Sequence, residues 1–498
     1  MSLFKKTFLT AFSKILNLVS HFIFQFFMMP IILAFLGKEL FGVYTIITKL
    51  EGYVSLTDLR PTAILRYKLA SLQASTNQKL KNEYVTSSLI ISCFLLPFIF
   101  LVGYFLSIGF DLFFEIDEKN IKIAKNSILI LSAFIGIKSF FSVPEAIIRG
   151  NNAEYKLFFA EPLKLLLYSF IVYLLLKNGY GIYGIIFSIL SVGVIDFLLK
   201  FLVQKATFIN YKIVKPTKQR INEFLSKGSW YLASSLGYQI ISTLDVIIIG
   251  INIGVKEVTI YAISKAMIFR FSESFSMISS SISSSFGYLI NIKDFSKLIF
   301  FRYLLFKIGL VFSILIIGYF FVFNSYFISL WVGPSNYIGE IENLIICITV
   351  VFIVWSMNTS IFIDAFQIFK IKGKVLLCSS IIFIFLTHFL SIKYNLLGVV
   401  LSVLILRFLI FCLYEIILQK YLRINFLTLL KNNYKTFFLF VIIFLYKFIY
   451  FHNVLIPSWI SFLLHSFLYF IIYLFFSYFI LEDERKYILN IIKNSSEK

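Results

Sequence analysis

Apolar residues run through the chain in long blocks broken by short polar stretches, a pattern that predicts helices crossing a lipid bilayer. A spanning helix needs about 20 mostly apolar residues. Fourteen runs fit that ruler: 14–36, 41–59, 84–107, 122–143, 156–177, 181–203, 226–250, 257–285, 301–323, 342–366, 374–394, 396–418, 435–451 and 458–481. Pro97 and Pro162 fall within runs and Pro144 closes one, which membrane helices tolerate because neighbouring groups re-satisfy the freed backbone. The longest polar connection, KATFINYKIVKPTKQRINEF, reads as a basic linker. No outer loop has room for a domain, which weighs against a membrane-embedded glycosyltransferase or glycan polymerase.

Composition sharpens this picture. Of 498 residues, 59% are hydrophobic, 19% aromatic and 14% charged, whereas a soluble domain carries roughly 25% charge. The natural solvent of such a chain is lipid, so a disordered chain, a coiled coil and a secreted disulfide scaffold are excluded. The four cysteines (Cys93, Cys347, Cys378, Cys412) lie in apolar runs without metal-ligand spacing and read as small buried hydrophobes. The four histidines (His21, His388, His452, His465) are scattered, so no metal site is expected.

The net charge of +21 is set by topology rather than by nucleic acid. Loops on one side of the fourteen runs hold 31 Lys and Arg, and loops on the other hold six. Cytoplasmic loops carry the excess, so the span count is even and both termini are expected in the cytoplasm. Lys5 and Lys6 precede the first run and Lys14 opens it, without a small-residue cleavage site, so this run reads as a span rather than a removed signal.

The chain also repeats itself. Gly37 to Tyr44 reads GKELFGVY and Gly254 to Tyr261 reads GVKEVTIY, an offset of 217. Tyr180-GIYGIIFSIL matches Tyr394-NLLGVVLSVL at an offset of 214, aligning Gly184 with Gly398 and Ser188 with Ser402. This shift maps spans one to six onto seven to twelve in the same orientation, and parallel repeats of this kind place a substrate site between them. The expected organisation is an N-terminal six-helix bundle (1–203), a basic cytoplasmic linker (204–225), a C-terminal six-helix bundle (226–418), and two additional helices with a cytoplasmic tail (419–498). The fold class is therefore an all-α integral membrane protein of about fourteen transmembrane helices.

Polar residues within the spans mark candidate chemistry. Asn17, His21, Gln25 and Met28 recur at helical spacing and form one stripe. Ser235, Gln239, Ser242 and Asp245 form the corresponding stripe of the seventh span. Ser272, Ser276, Ser279 and Ser283 suit close helix packing. The charges nearest mid-membrane are Lys49, Lys164, Lys265, Arg270 and Arg407 against Glu51, Asp245 and Glu273. Arg270 and Glu273 are three apart and can neutralise each other. Charged groups at such depth face a cavity or a partner, and a cationic surplus calls for an anion, phosphate foremost.

These segments bring a family into view. Pro30-IILAFLGKELFGVY resembles the first-to-second-span turn of Wzx-type polysaccharide flippases of the MOP (MATE-like) exporter superfamily. Asp58-LRPTAILRYKLA resembles the stretch that follows, with Arg60 where a glycine is usual. Asp245-VIIIG and Leu330-WVGP are similar to later signatures. The resemblance implies two MATE-like bundles with pseudo-two-fold symmetry, V-shaped about a cationic cavity, in a bacterial cytoplasmic (inner) membrane. The cargo it implies is a glycan on undecaprenyl pyrophosphate, turned from inner to outer leaflet for O-antigen, lipopolysaccharide or capsule assembly, with the lipid tail left in the bilayer.

On this reading Lys49, Lys265, Arg270 and Arg407 are the substrate-binding cations. Asn17, His21, Gln25, Gln239 and Ser242 line the cavity, while Glu51, Asp58, Arg66, Asp245 and Glu273 are coupling or gating candidates. The implied partners are the lipid-linked oligosaccharide, membrane lipids, a polysaccharide polymerase, a chain-length regulator and a coupling ion, H+ or Na+. Nucleic acid, metal, cofactor and catalytic constellation are not expected, so the chain reads as a transporter and not an enzyme. Two alternatives stay open: a cation-coupled multidrug antiporter of the same superfamily, which would more naturally place carboxylates in its lumen, and a lipid II flippase.

Overall fold

The computed structural model describes residues 3–58, 60–72, 76–151, 153–157, 159–207, 211–366, 368–451 and 458–482. These residues are almost wholly helical, with no strand among them. The helices in order are α1 (Leu3–Leu56), α2 (Pro61–Ser71), α3 (Gln78–Ile108), α4 (Phe110–Phe113), α5 (Glu118–Phe141), α6 (Val143–Gly150), α7 (Ala160–Lys177) and α8 (Gly181–Thr207). There follow α9 (Lys218–Asn252), α10 (Val255–Asn291), α11 (Phe295–Val332), α12 (Glu340–Ala365), α13 (Phe369–Leu422), α14 (Phe426–Asn432), α15 (Phe438–Phe451) and α16 (Trp459–Ile480). Among the described residues, each of the fourteen apolar runs falls largely on helix. Among the described residues, ten helices are long and apolar enough to cross a membrane, or eleven if the bent α14–α15 pair is one span.

Two of those ten hold two runs each. α1 is broken at Gly37 (φ 72°) and α13 at Asn395 (φ 50°), so runs one and two, and eleven and twelve, are each a pair of helices meeting at a non-helical residue. These breaks mirror the sequence repeat. Gly37 pairs with Gly254, and both have positive φ; Gly181 pairs with Asn395, at φ 54° and 50°. Positive φ is open to glycine and more frequent for asparagine than for most other residues, so the position keeps a positive φ through a Gly-to-Asn difference. The paired Ser188 and Ser402 are both fully buried and each bonds a carbonyl of its own helix at 2.7 Å.

The chain divides into two compact units. The first comprises Met1–Thr259 with Leu376–Ile381, the second Ile260–Val375 with Ile382–Lys498. In lipid, helices gain little from hydrophobic transfer and associate through small residues, hydrogen bonds and close packing. The first unit follows this rule. On α3 and α5, Ser92 and Ser139 hydroxyls meet at 2.9 Å, and a Cβ on Gly103 would lie 1.9 Å from Ser132 Oγ. At its Lys/Arg-rich end, Lys200 reaches Glu145 and Asp196, both at 2.6 Å, and Arg149 pairs with Glu145 at 2.9 Å. Lys68 of α2 and Tyr84 of α3 both engage Glu223 of α9. The stretch expected as a linker is shorter than 204–225, because α8 persists to Thr207 and α9 begins at Lys218. Between them the backbone N–H groups of Lys212 and Val214 donate to Asn82 and Thr86 of α3.

The second unit is built on rings. Phe306, Phe323, Trp355, Phe411, Tyr446, Phe462, Tyr469 and Tyr473 form one buried cluster that joins α11, α12 and α13 to α15 and α16. Aromatic pairs add to area burial by about 0.5–1.5 kcal/mol each. Gly318 lets α11 approach α16: a Cβ there would lie 2.1 Å from the Tyr469 hydroxyl. Below the rings, Arg302 of α11 is 1% exposed and pairs with Glu415 of α13, which also accepts from Thr359 of α12. At the opposite end Asn324 donates to Asn343 at 2.6 Å and to the Ser264 carbonyl. A groove of about 840 Å³ runs along the outside of α10, α11 and α16, lined among others by Phe312, Tyr319, Leu463 and Phe467.

Candidate functional site

Beyond Gly37, α1 presents two faces to its neighbours. Gly42, Ile46, Lys49 and Tyr53, spaced four, three and four, form one face. It meets α9: Ile46 packs at Gly250, the Gln239 amide covers Gly52 so closely that a Cβ would lie 2.0 Å from its Nε2, and Tyr53 and Thr243 hydroxyls are hydrogen-bonded at 3.1 Å. Lys49, half-buried in the middle of this face, has no ion-pair or hydrogen-bond partner among the described residues. The other face carries Tyr44, bonded to Tyr168 of α7, and Glu51, which lies in the field of Lys138 on α5.

The first half of α1 carries the predicted polar stripe. The His21 Nε2 lies 3.4 Å from Glu161 of α7, and Lys164 holds the same carboxylate at 2.5 Å. The Asn17 Oδ1 and, on α9, the Ser242 Oγ are buried with no hydrogen-bond partner among the described residues. Gln25 is half-buried. Asp245 is 3% exposed, and its Oδ1 accepts from the Val246 N–H at 2.9 Å. Among the described residues no group of three or more His, Cys, Asp or Glu is placed to hold a metal ion.

At the end of α1, Asp58 Oδ1 accepts from the Arg60 N–H at 2.6 Å. Arg60 sits at φ 45°, so it adopts the left-handed turn that glycine takes without strain, and the turn is preserved by the Asp58 bond. Burial pushes the Asp58 carboxyl up, countered by that bond and by the charges of Arg60 and Lys138. Arg66, half-buried on α2, lies 5.1 Å from the Tyr67 ring.

In the second unit, Lys265 lies 4.0 Å over the Tyr261 ring, a cation–π geometry. Arg270 pairs with Glu273 at 3.0 Å, and Arg407 is half-buried on α13. The side chains of Ser276, Ser279 and Ser283 fall outside the described residues. Two of the five deep cations, Lys164 and Arg270, thus have carboxylates one helical turn away. The cationic surplus is smaller than the residue count implied, because Glu161 was not part of that count.

Sequence reasoning did not single out Glu161, the Tyr44–Tyr168 and Tyr53–Thr243 pairs, or the Arg302–Glu415–Thr359 cluster. Spacing exposes only the contacts within one helix, and each of these crosses between helices far apart in the chain. Glu161 and Lys164, three apart, were the one local signal.

No family model and no curated protein sequence matches the chain. Solved structures do. A lipid II flippase, MurJ, in an inward closed conformation superposes with TM-score 0.72 at 16% identity, covering 96% of this chain and 99% of its own. An inward-facing multidrug-resistance MATE transporter of the MOP superfamily gives 0.61 at 14% identity, covering 85% and 96%. A eukaryotic MATE transporter gives 0.62 at 17%, covering 83% and 95%. The chain is a multi-pass, all-α membrane protein with the fold of the MOP-superfamily transporters.

Proposed function

We propose that this protein is a flippase that turns an undecaprenyl-pyrophosphate-linked oligosaccharide from the inner to the outer leaflet of the bacterial cytoplasmic membrane, for assembly of an O-antigen- or capsule-type polymer. A sugar–pyrophosphate head cannot cross hydrocarbon unaided, because each unsatisfied polar group costs several kcal/mol there. Hydroxyls, amides and a few cations along the path lower that barrier, and alternating access carries the head across while the tail stays in lipid.

The observation that carries this reading is Lys49, a half-buried cation with no ion-pair or hydrogen-bond partner among the described residues. An ammonium in that position is stabilised by an anionic cargo and disfavours a cationic drug. The groove of about 840 Å³ along α16 offers an apolar bed for a polyprenyl chain. The MATE structures cover 83–85% of this chain and the MurJ structure 96%, which also favours a lipid-linked cargo over a drug. That last comparison supports a second reading, a lipid II flippase.

Neutralising Lys49, Arg270 or Arg407 one at a time is expected to abolish surface polymer while the protein still reaches the membrane. Normal polymer from all three variants overturns the reading. Depletion separates the two cargoes: loss of one surface antigen with continued growth marks the oligosaccharide, and lethality marks lipid II.

A further inference from the structure

Between the last turn of α13 and the start of α15 the chain makes a basic elbow. It carries Lys420, Arg423, Lys431 and Lys435, and no Asp or Glu occurs between Glu415 and Glu482. Glu415 itself is taken by Arg302 and Thr359. All four cations are exposed, without an ion-pair partner among the described residues. α14 lies at 65° to the segment Tyr434–Lys447 that follows it, so it turns away from the direction of a spanning helix. Its inner face is fixed to the ring block. Leu429 is 1% exposed, and the Phe426 ring centroid lies 5.0 Å from that of Phe411 and 5.8 Å from those of Phe306 and Trp355. Asn425 caps α14 by accepting from the Leu427 N–H at 3.1 Å, and the buried Asn433 amide donates to the Leu429 carbonyl at 2.7 Å. The outer face carries Leu427 and Tyr434, 67% and 65% exposed, beside the cations, and the exposed Phe438 follows.

Such a face fits few surroundings. Hydrocarbon is closed to four cations that lack carboxylate partners, and bulk water is unfavourable for large apolar side chains held side by side. The headgroup layer of a bilayer satisfies both, because cations meet phosphates there while leucine and aromatic side chains reach the acyl boundary. We propose that this elbow is a binding surface for the anionic phospholipid headgroups of the leaflet it faces. It falls on the side of the apolar runs that holds the excess of Lys and Arg. Lipid phosphates supply the counter-charge that the chain itself lacks from Glu415 to Glu482. Phe426 and Leu429 key the inner face of the elbow into the rings, so headgroups bound on its outer face steady the ring block at a fixed depth. The surface is independent of the cargo and goes beyond the proposed function.

The test uses the full chain in phosphatidylcholine nanodiscs, with a bimane fluorophore on Asn432→Cys, exposed on the elbow, in a background lacking the native cysteines. Its quenching is titrated with phosphatidylglycerol or phosphatidylcholine carrying a nitroxide near the headgroup. One cation near an anionic membrane surface strengthens attraction about fivefold. Half-quenching is therefore expected at a phosphatidylglycerol content at least about fivefold below that of phosphatidylcholine. The preference is expected to vanish when Lys420→Gln, Arg423→Gln, Lys431→Gln and Lys435→Gln are combined, and in about 1 M salt, where screening acts within about 3 Å. A matched variant, Lys205→Gln, Lys212→Gln, Lys215→Gln and Lys218→Gln, removes as many exposed cations between the end of α8 and the start of α9 and should keep the preference. No preference in the unsubstituted elbow, or equal loss from both quadruple variants, overturns the proposal. Leu427→Ser with Tyr434→Ser keeps the charges and is expected to weaken quenching by both lipids, and unchanged quenching overturns the seating of the elbow in the headgroup layer. Melting temperatures in detergent are expected to be equal across the variants, since every substituted side chain is exposed. A loss of preference found only where melting falls is unfolding and overturns the proposal as well.

Discussion

The two units solve the problem of packing helices in lipid in different ways. The first joins its helices through charges and hydroxyls: Lys200 with Glu145 and Asp196, Lys68 with Glu223, His21 with Glu161 and Ser92 with Ser139. The second joins its helices through a block of buried rings, with one fully buried arginine beneath it. Buried polar contacts demand specific partners, and interlocked rings demand close shape complementarity. The difference teaches that one chain holds its helices together in lipid by two chemistries, specific polar partners in the first unit and, in the second, a frame of rings that includes α15 and α16.

Substitutions can break or sharpen this contrast. The largest effect is expected at Arg302. Arg302→Met strands Glu415 in the interior, and breaking such a pair costs about 3–5 kcal/mol; thermal unfolding in detergent should show a large drop. Arg302→Met with Glu415→Leu should regain most of it, since a packed apolar replacement removes the uncompensated charge. If the double variant is as unstable as the single one, the pair is not what holds α11, α12 and α13 together.

Next is the ring block. Gly318→Val forces a side chain into the Tyr469 hydroxyl and Ile443, and overpacking of this kind costs about 1–3 kcal/mol. Limited proteolysis should then find the α15–α16 segment released from α11. A wild-type digestion pattern argues that those helices are not part of the frame.

The smallest effect concerns the repeat. Gly181→Val should cost about 1–2 kcal/mol because it places a branched side chain in the left-handed region. Gly181→Asn should cost clearly less, because Asn395 already occupies the equivalent position at φ 50°. Equal melting temperatures for the two variants contradict the equivalence of the halves.

Much of the fold was legible because lipid imposes simple rules. Apolar runs had to be helices, and the Gly-to-Tyr and Tyr-to-Gly pairs reported a duplication whose backbone breaks then proved to coincide. Which face of a helix meets which neighbour was not legible. Arg302 sits at the start of the apolar run 301–323 and drew no notice there, yet it is buried against Glu415, 113 residues away. Tyr44, Tyr53 and Tyr168 were indistinguishable from other aromatic residues in a chain with 29 tyrosines. Lys49 and His21 stood out because a charge or imidazole in an apolar run is costly, and cost is visible in one dimension. Their partners, or for Lys49 the lack of one among the described residues, are visible only in three.

The central proposal is that Lys49, which has no ion-pair or hydrogen-bond partner among the described residues, serves an anionic, lipid-linked cargo. The most direct measurement is translocation of an undecaprenyl-pyrophosphate-linked oligosaccharide across proteoliposomes containing wild type, Lys49→Arg or Lys49→Gln. Cation–phosphate contacts are worth about 1.5–3 kcal/mol, so Lys49→Gln should slow translocation by at least about tenfold, with Lys49→Arg close to wild type and all three equally stable. Equal rates for Lys49→Gln and wild type would contradict the account.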